Sequence, residues 1–315
     1  MFIGVDIGGT SIKVGLVSKS GSLKAKESFP VIKGEDQKVT IEKLGDFILC
    51  LAKENKLNVS EIEGIGIGCP GAINSEKGTC DSSPNLKWSS LPVVDIIKNK
   101  TGVRKVRISN DANVAALGEA LFGAGKKYNS SIFITLGTGV GGGVVIDRKL
   151  FEGNEGKGTE IGHSVIVVGG EPCGCGRKGC FEAYASATAL IRLTKEVMKK
   201  NPKSYMWHYV HGDIDQVDGK TAFESSKAMD KAALEVVDTY CMYLAEGMLN
   251  YMNIFRPNAI ILGGGICGQK EYLTSRLEKY VRSYHFGFKS CPEVEILIAS
   301  LGNDAGIIGA ASLVM

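Results

Sequence analysis

The chain has 315 residues, of which 44% are hydrophobic and 23% charged, a composition that allows two domains with buried cores and excludes wholesale disorder. Its formal net charge of +3 comes from lysines and arginines spread along the sequence. That distribution excludes a nucleic-acid-binding tail and a polybasic membrane anchor, so a small molecule is the expected partner. The start, Met1 to Val5, is apolar but runs straight into Asp6 and lacks the basic head of a secretion signal. No stretch reaches the roughly 18 apolar residues of a membrane span, and a cytoplasmic protein is expected.

In chain order, Ile3 to Val17 reads as an apolar strand, a Gly/Thr turn and a second strand, and Ile132 to Ile146 repeats the pattern. Two such units suggest a duplicated α/β domain with a cleft between the copies, although two unrelated glycine-rich hairpins would look the same. Between them, Ile41, Leu44, Ile48 and Leu51 mark a helix over Val39 to Lys56, and Gly64 to Cys69 reads as a short strand. A helix near Pro92 to Asn99, a strand from Val103 to Ser109 and a helix from Ala112 to Phe122 follow. Ligands of open α/β sheets gather at the carboxyl ends of strands, where Asp6, Gly68 to Gly71 and Asn110-Asp111 all fall. An irregular loop then runs from Glu152 to Cys180. Beyond it the spacing predicts helices over Ala187 to Lys199 and Ser226 to Asn253, strands at Ala259 to Leu262 and Val294 to Ala299, and a small-residue helix from Asp304 to Leu313. The expected domains are 1–111, with the helix of 304–315 packing back on it, and 112–303.

Asp6-Ile-Gly-Gly-Thr10 can offer the backbone N–H groups of Gly8 and Gly9, with the Thr10 hydroxyl, to phosphate, with Lys13 adding charge. Asp6 beside them suits a Mg2+ ion held through water. A plain tight hairpin capped by Asp6 explains the same residues, but a second turn, Gly137-Thr138-Gly139, favours a triphosphate needing donors from two walls. Cys173, Cys175 and Cys180 lie within eight residues, with His163 ten residues upstream. Nine cysteines is an odd count, and this Cys3His set fits a closed tetrahedral Zn2+ site better than disulfides. Glu160, His163 and Glu182 flank the loop as candidates for hydrogen-bonding a polyol. His208 and His211 share a helical face but have no ligand cluster nearby, and read as surface residues. Asn110-Asp111 ends a strand where a helix begins; it can be a helix N-cap, or Asn110 can hold a sugar while Asp111 takes a hydroxyl proton during phosphoryl transfer.

Taken together, these motifs resemble the ROK family of bacterial sugar kinases and transcriptional repressors over essentially the whole chain, and most narrowly its glucokinase members. The Cys-x-Cys-Gly-x-x-Gly-Cys-x-Glu run from Cys173 to Glu182 is the most specific element. The resemblance implies zinc on His163, Cys173, Cys175 and Cys180, and sugar on Asn110, Asp111, Glu160, His163, Glu182 and the Gly71 backbone. It implies nucleotide phosphates on Asp6 to Thr10 and Gly137 to Gly139, adenosine on Leu262 to Gly265 through Gly264 and Gly265, and Asp111 as catalytic base. It further implies ATP and Mg2+ as reactants, a hexose substrate, and a two-domain actin-like, ribonuclease H-like fold closing over both ligands. A homodimer or higher homo-oligomer is also implied. Repressor members carry a helix-turn-helix module ahead of the first glycine motif, whereas Asp6 follows Met1 almost directly here, so DNA binding is not expected. Sibling kinases acting on N-acetylglucosamine, N-acetylmannosamine, fructose or allose share the phosphate and zinc motifs, and a non-catalytic sugar sensor would share the sugar site.

Overall fold

The computed structural model describes every residue except 33, 285 and 287–289. In chain order the first strands are β1 (Phe2–Ile7), β2 (Ser11–Val17) and β3 (Leu23–Pro30), followed by helix α1 (Gln37–Glu54). Asp36 starts α1 by accepting from the N–H groups of Lys38 (2.9 Å) and Val39 (3.3 Å), and Ile41, Leu44, Ile48 and Leu51 are its buried face. Next come β4 (Gly64–Cys69), the short strands β5 (Ala72–Asn74), β6 (Thr79–Ser83) and β7 (Trp88–Leu91), then α2 (Val93–Thr101), β8 (Val106–Asn110) and α3 (Asp111–Leu121). After β9 (Ser131–Leu136), β10 (Val140–Ile146) and β11 (Lys149–Phe151) the chain runs irregularly to α4 (Glu182–Ala185) and α5 (Ala187–Lys200). The rest comprises α6 (Tyr205–Tyr209), α7 (Thr221–Lys227), α8 (Lys231–Phe255), β12 (Ala259–Gly263), α9 (Glu271–Tyr284), β13 (Glu295–Ile298) and α10 (Ala305–Ser312).

This is an α/β protein. One five-stranded sheet runs β3-β2-β1-β4-β8, with β1, β4 and β8 parallel and β2 and β3 antiparallel to their neighbours. A second runs β11-β10-β9-β12-β13. Numbered within each half, both read 3-2-1-4-5, which is the duplication that the paired glycine hairpins suggested. β5, β6 and β7 form a small third sheet that carries no clear alternation in the sequence.

Two compact units divide the chain, the first comprising Met1–Phe133, Gly143–Thr159 and Ala299–Met315, the second Ile134–Gly142 and Glu160–Ile298. These bounds differ from the expected 1–111 and 112–303, because α3 packs on α10 and so groups with the first unit. The two helices cross where Gly118 meets Gly309; a Cβ on Gly118 would lie 2.7 Å from the Ala305 carbonyl oxygen. The helix expected over Ser226 to Asn253 is instead two helices. Met229 takes φ +65° and Asp230 caps α8 through the Ala233 N–H at 2.8 Å, so a left-handed residue and a fresh N-cap interrupt the apolar periodicity. Among the described residues no helix is long and apolar enough to cross a membrane, and all nine cysteines are free.

Candidate active site

In the first unit, Asp6 pairs with Gly68 across β1 and β4, and Gly68 with Ser109 across β4 and β8, which brings the expected residues to one end of three parallel strands. Asp6 accepts from Lys13 Nζ at 3.1 Å. The start of α10 comes close to it, and a Cβ on Gly306 would sit 2.8 Å from Asp6 Cγ. The turn after Asp6 is closed by the Gly8 N–H donating to Ser11 O at 2.9 Å, while a Cβ on Gly9 would meet nothing within 4 Å.

Asn110, not Asp111, caps α3. Its Oδ1 accepts from the N–H groups of Ala112 (2.9 Å) and Asn113 (3.4 Å), and its amide donates to Gly71 O at 3.2 Å. Gly71 itself has φ +113°, a conformation that only glycine takes without strain. Half-buried Asp111 is the first helical residue and accepts from the Ala112 N–H at 3.0 Å. Each of the two adjacent polar residues thus holds a separate position: the amide ties the cap to the Gly71 loop, and the carboxylate follows it.

Two carboxylates of this unit carry no motif signature. Ser109 donates to Glu152 at 2.5 Å, and burial raises the Glu152 carboxyl above its ordinary range against the pull of the Ser109 and Ser75 hydroxyls and Arg107. Glu119, fully buried on α3, accepts from the N–H groups of Ala124 (2.9 Å), Ser300 (3.1 Å) and Leu301 (2.7 Å). A buried carboxylate satisfied by backbone donors is a tertiary feature, and only its place on the polar-free side of an apolar helix hints at it in the sequence.

In the second unit, the Gly137 N–H donates to Gly139 O at 3.0 Å, closing the second glycine turn. The first residues of α5 reach it: the Ala187 N–H donates to Gly137 O at 2.9 Å and the Thr188 hydroxyl to Thr138 O at 2.8 Å. Gly264, at φ +92°, lies against the Leu136 backbone, so the third glycine motif begins beside the second, and Gly265 follows with open space around it. Glu182 opens α4, its Oε2 accepting from the Val140 N–H at 3.0 Å and its Oε1 from the Cys173 thiol at 3.5 Å. A cleft of about 280 Å3 is lined by Thr138, Glu171, Cys173, Glu182, Thr188 and Arg192, among other residues.

The ligand atoms of His163, Cys173, Cys175 and Cys180 all lie within 4.8 Å of one another. Cys175 Sγ is 3.6 Å from Cys180 Sγ, and Cys173 Sγ is 3.6 Å from His163 Nδ1. Donors on a tetrahedron with ~2.3 Å metal–sulfur bonds stand about 3.8 Å apart, so the set fits one tetrahedral cation. Burial pushes the Cys173 thiol up to about 12 and raises Cys180, whereas hydrogen bonding to the Arg177 backbone lowers Cys175. Three thiolates this close need a counter-charge. Glu160 is exposed, one residue before the 3-10 turn Ile161–His163, and accepts the His163 N–H on its carbonyl at 3.0 Å. His208 and His211 are both exposed and distant from this cluster in sequence; His208 stacks on Tyr205.

The family model described as "ROK family" matches residues 2–315. The chain belongs to the ROK family. This ROK protein is 37% identical over 313 residues to a glucokinase of Thermotoga maritima, covering 99% of this chain and 96% of that protein. It is also 32% identical over 315 residues to a xylose repressor of Caldicellulosiruptor bescii, covering 99% of this chain and 77% of the repressor. Among solved structures, the crystal structure of a ROK family glucokinase from Streptomyces griseus in complex with glucose and AMPPNP matches this ROK protein with a TM-score of 0.78 and 33% identity, over 99% of this chain and 98% of that one.

Proposed function

We propose that this ROK protein is an ATP-dependent hexose kinase, a glucokinase, converting glucose and ATP to glucose 6-phosphate and ADP. The observation that carries the chemistry is the β8–α3 junction, where Asn110 is the N-cap of α3 and the next residue, half-buried Asp111, sets its carboxylate at the carboxyl end of β8, with Oδ1 on the Ala112 N–H. The likeness to glucokinases over nearly the full chain supports the sugar.

In this reading Asp111 takes the proton of the glucose 6-hydroxyl as that oxygen attacks the γ-phosphorus; the bond to the β–γ bridging oxygen breaks and ADP leaves. Asn110, the Gly71 backbone, Glu160, His163 and Glu182 hold the sugar's hydroxyls, so that the attacking oxygen is aligned before reaction. Gly9, Thr10 and Lys13 bind phosphate oxygens, as do Thr138 and Gly139, with the N–H groups of Gly8 and Gly137 closing the two turns that present them, while Gly264 and Gly265 face the adenosine. Asp6 would hold Mg2+ through water, and the ion when bound neutralises phosphate charge. His163, Cys173, Cys175 and Cys180 would hold zinc, which when bound fixes the loop carrying the sugar ligands. The shared 3-2-1-4-5 strand order of the two sheets supports an actin-like, ribonuclease H-like fold. Family membership supports a homodimer or higher homo-oligomer in the cytoplasm, and a monomer in sedimentation equilibrium would remove the first of these.

Replacing Asp111 by Asn should lower kcat about 100-fold or more while changing glucose affinity little, as when a base is removed from a formed site. Near-normal turnover would refute the assignment. The repressor likeness favours one second reading, a non-catalytic sugar sensor, which glucose-dependent ADP release in a coupled assay excludes. The same assay across a panel of hexoses tests the sugar, and preference for N-acetylglucosamine or N-acetylmannosamine would replace glucose.

A further inference from the structure

Tyr251 belongs to no motif, yet it touches both arms of the cysteine loop. It lies on α8, 3% exposed, with its hydroxyl 2.5 Å from Ile161 O and 2.6 Å from Ser164 Oγ. The Ser164 hydroxyl is also 2.8 Å from Ile161 O. Two hydroxyls carry two protons for three contacts, so one hydroxyl donates to the Ile161 carbonyl and the other donates to its neighbour's oxygen. Either arrangement pins the 3-10 turn Ile161–His163, which follows Glu160 and ends in His163.

The same tyrosine reaches the other arm through its ring. It meets Phe181 edge-on, with centroids 5.9 Å apart and planes at 69°. Phe181 is fully buried between Cys180 and Glu182, and its N–H donates to Ser164 O at 2.8 Å. One helical turn before Tyr251, Gly247 lets Phe181 sit against α8, since a Cβ there would lie 2.5 Å from Phe181 Cδ2. The face of α8 made by Gly247 and Tyr251 is therefore a common floor for the turn bearing His163 and for the segment bearing Cys180 and Glu182.

We propose that Tyr251 is a positioning residue: by holding Ile161, Ser164 and Phe181 at once, it sets the spacing of the two arms on which the metal ligands and the sugar-binding carboxylates sit. It touches neither metal nor substrate. The proposal rests on the reading of the loop as a zinc and sugar site, and it identifies a buried side chain that braces the two arms beside their own backbone bridge of Val165 with Cys180. Removing the Tyr251 hydroxyl leaves Ile161 O with the hydroxyl and the N–H of Ser164 and loosens the turn, and removing both hydroxyls leaves it only the 3.2 Å bond from the Ser164 N–H.

The test compares Tyr251→Phe and the double variant Tyr251→Phe/Ser164→Ala with the natural protein and with Tyr280→Phe. The Tyr280 hydroxyl donates to Glu246 at 2.7 Å, so the control also removes a tyrosine hydroxyl contact to α8, but one away from the loop. Zinc release to a chromogenic chelator should be about 5-fold faster in Tyr251→Phe and faster again in the double variant, as for groups that orient metal ligands. The KM for glucose should rise about 3- to 10-fold, with a smaller rise in the KM for ATP carried through Glu182. Tyr280→Phe should change neither. Unchanged zinc release and unchanged glucose KM in the double variant, whatever its melting temperature, would overturn the proposal. If elemental analysis finds no zinc in the natural protein, the metal reading fails by itself, and the glucose KM still decides the role of Tyr251.

Discussion

The two glycine turns differ in what holds them, although their sequences announce the same shape. The turn of Gly8 to Thr10 is maintained by its own hairpin: Gly8 bonds Ser11, Lys13 pairs with Asp6, and Val31, just past β3, donates its N–H to Thr10 O at 3.0 Å. The turn of Gly137 to Gly139 is gripped from outside. Ala187 and Thr188 hold two of its carbonyls, and Glu182, 42 residues away in sequence from Val140, accepts the N–H that follows the turn. Because Glu182 also meets the Cys173 thiol, the second turn shares its support with the cysteine loop, and the first does not. A motif that folds on local bonds tolerates distant change; one clamped by a remote segment inherits whatever that segment undergoes.

Stripping the zinc proposed for His163, Cys173, Cys175 and Cys180 is the strongest way to break this contrast. Chelation, or Cys175→Ala, should lower the melting temperature by more than about 5 °C and weaken glucose binding at least about tenfold, since metal binding at a structural site is coupled to folding. If the loop supports the second turn through Glu182, the KM for ATP should rise as well. A normal ATP KM in the metal-free protein would mean that the turn stands without the loop. A smaller effect is expected from a single methyl group. Gly139→Ala drives a Cβ into the Glu182 carboxylate and should cut kcat/KM about tenfold, whereas Gly9→Ala meets open space and should leave the melting temperature within about 1 °C. Equal thermal losses in the two variants would erase the distinction. Thr188→Val removes one hydrogen bond worth about 1 kcal/mol, so the ATP KM should rise about 2- to 5-fold with glucose KM unchanged. An effect on glucose instead would reassign that bond to the sugar side.

Much of the fold was legible because its signals are short-range. β4 has the bounds that Gly64 to Cys69 predicted, and α1, α2, α3 and α5 lie within a few residues of their predicted spans. The long helix was misjudged at Met229 and Asp230, since nothing in an apolar periodicity reveals a single left-handed residue. The candidate site divides in the same way. Cysteine spacing and the Asn110-Asp111 junction pointed to their own residues, while Glu119, Glu152 and Tyr251 stayed hidden, each being defined by partners far along the chain; the Tyr251 bond to Ile161 spans 90 positions.

The amino-acid sequence by itself determined the glycine turns, the strand ends that deliver Asp6 and Asn110-Asp111, and the Cys3His set proposed to hold zinc, because each depends on backbone freedom or donor chemistry within a few neighbouring residues. Only the tertiary structure decided that Asn110 rather than Asp111 caps its helix, that Glu182 braces a turn in another segment, and that α8 floors the cysteine loop. Those outcomes follow from which polar atoms packing leaves buried and in need of a partner, and no local pattern encodes that choice.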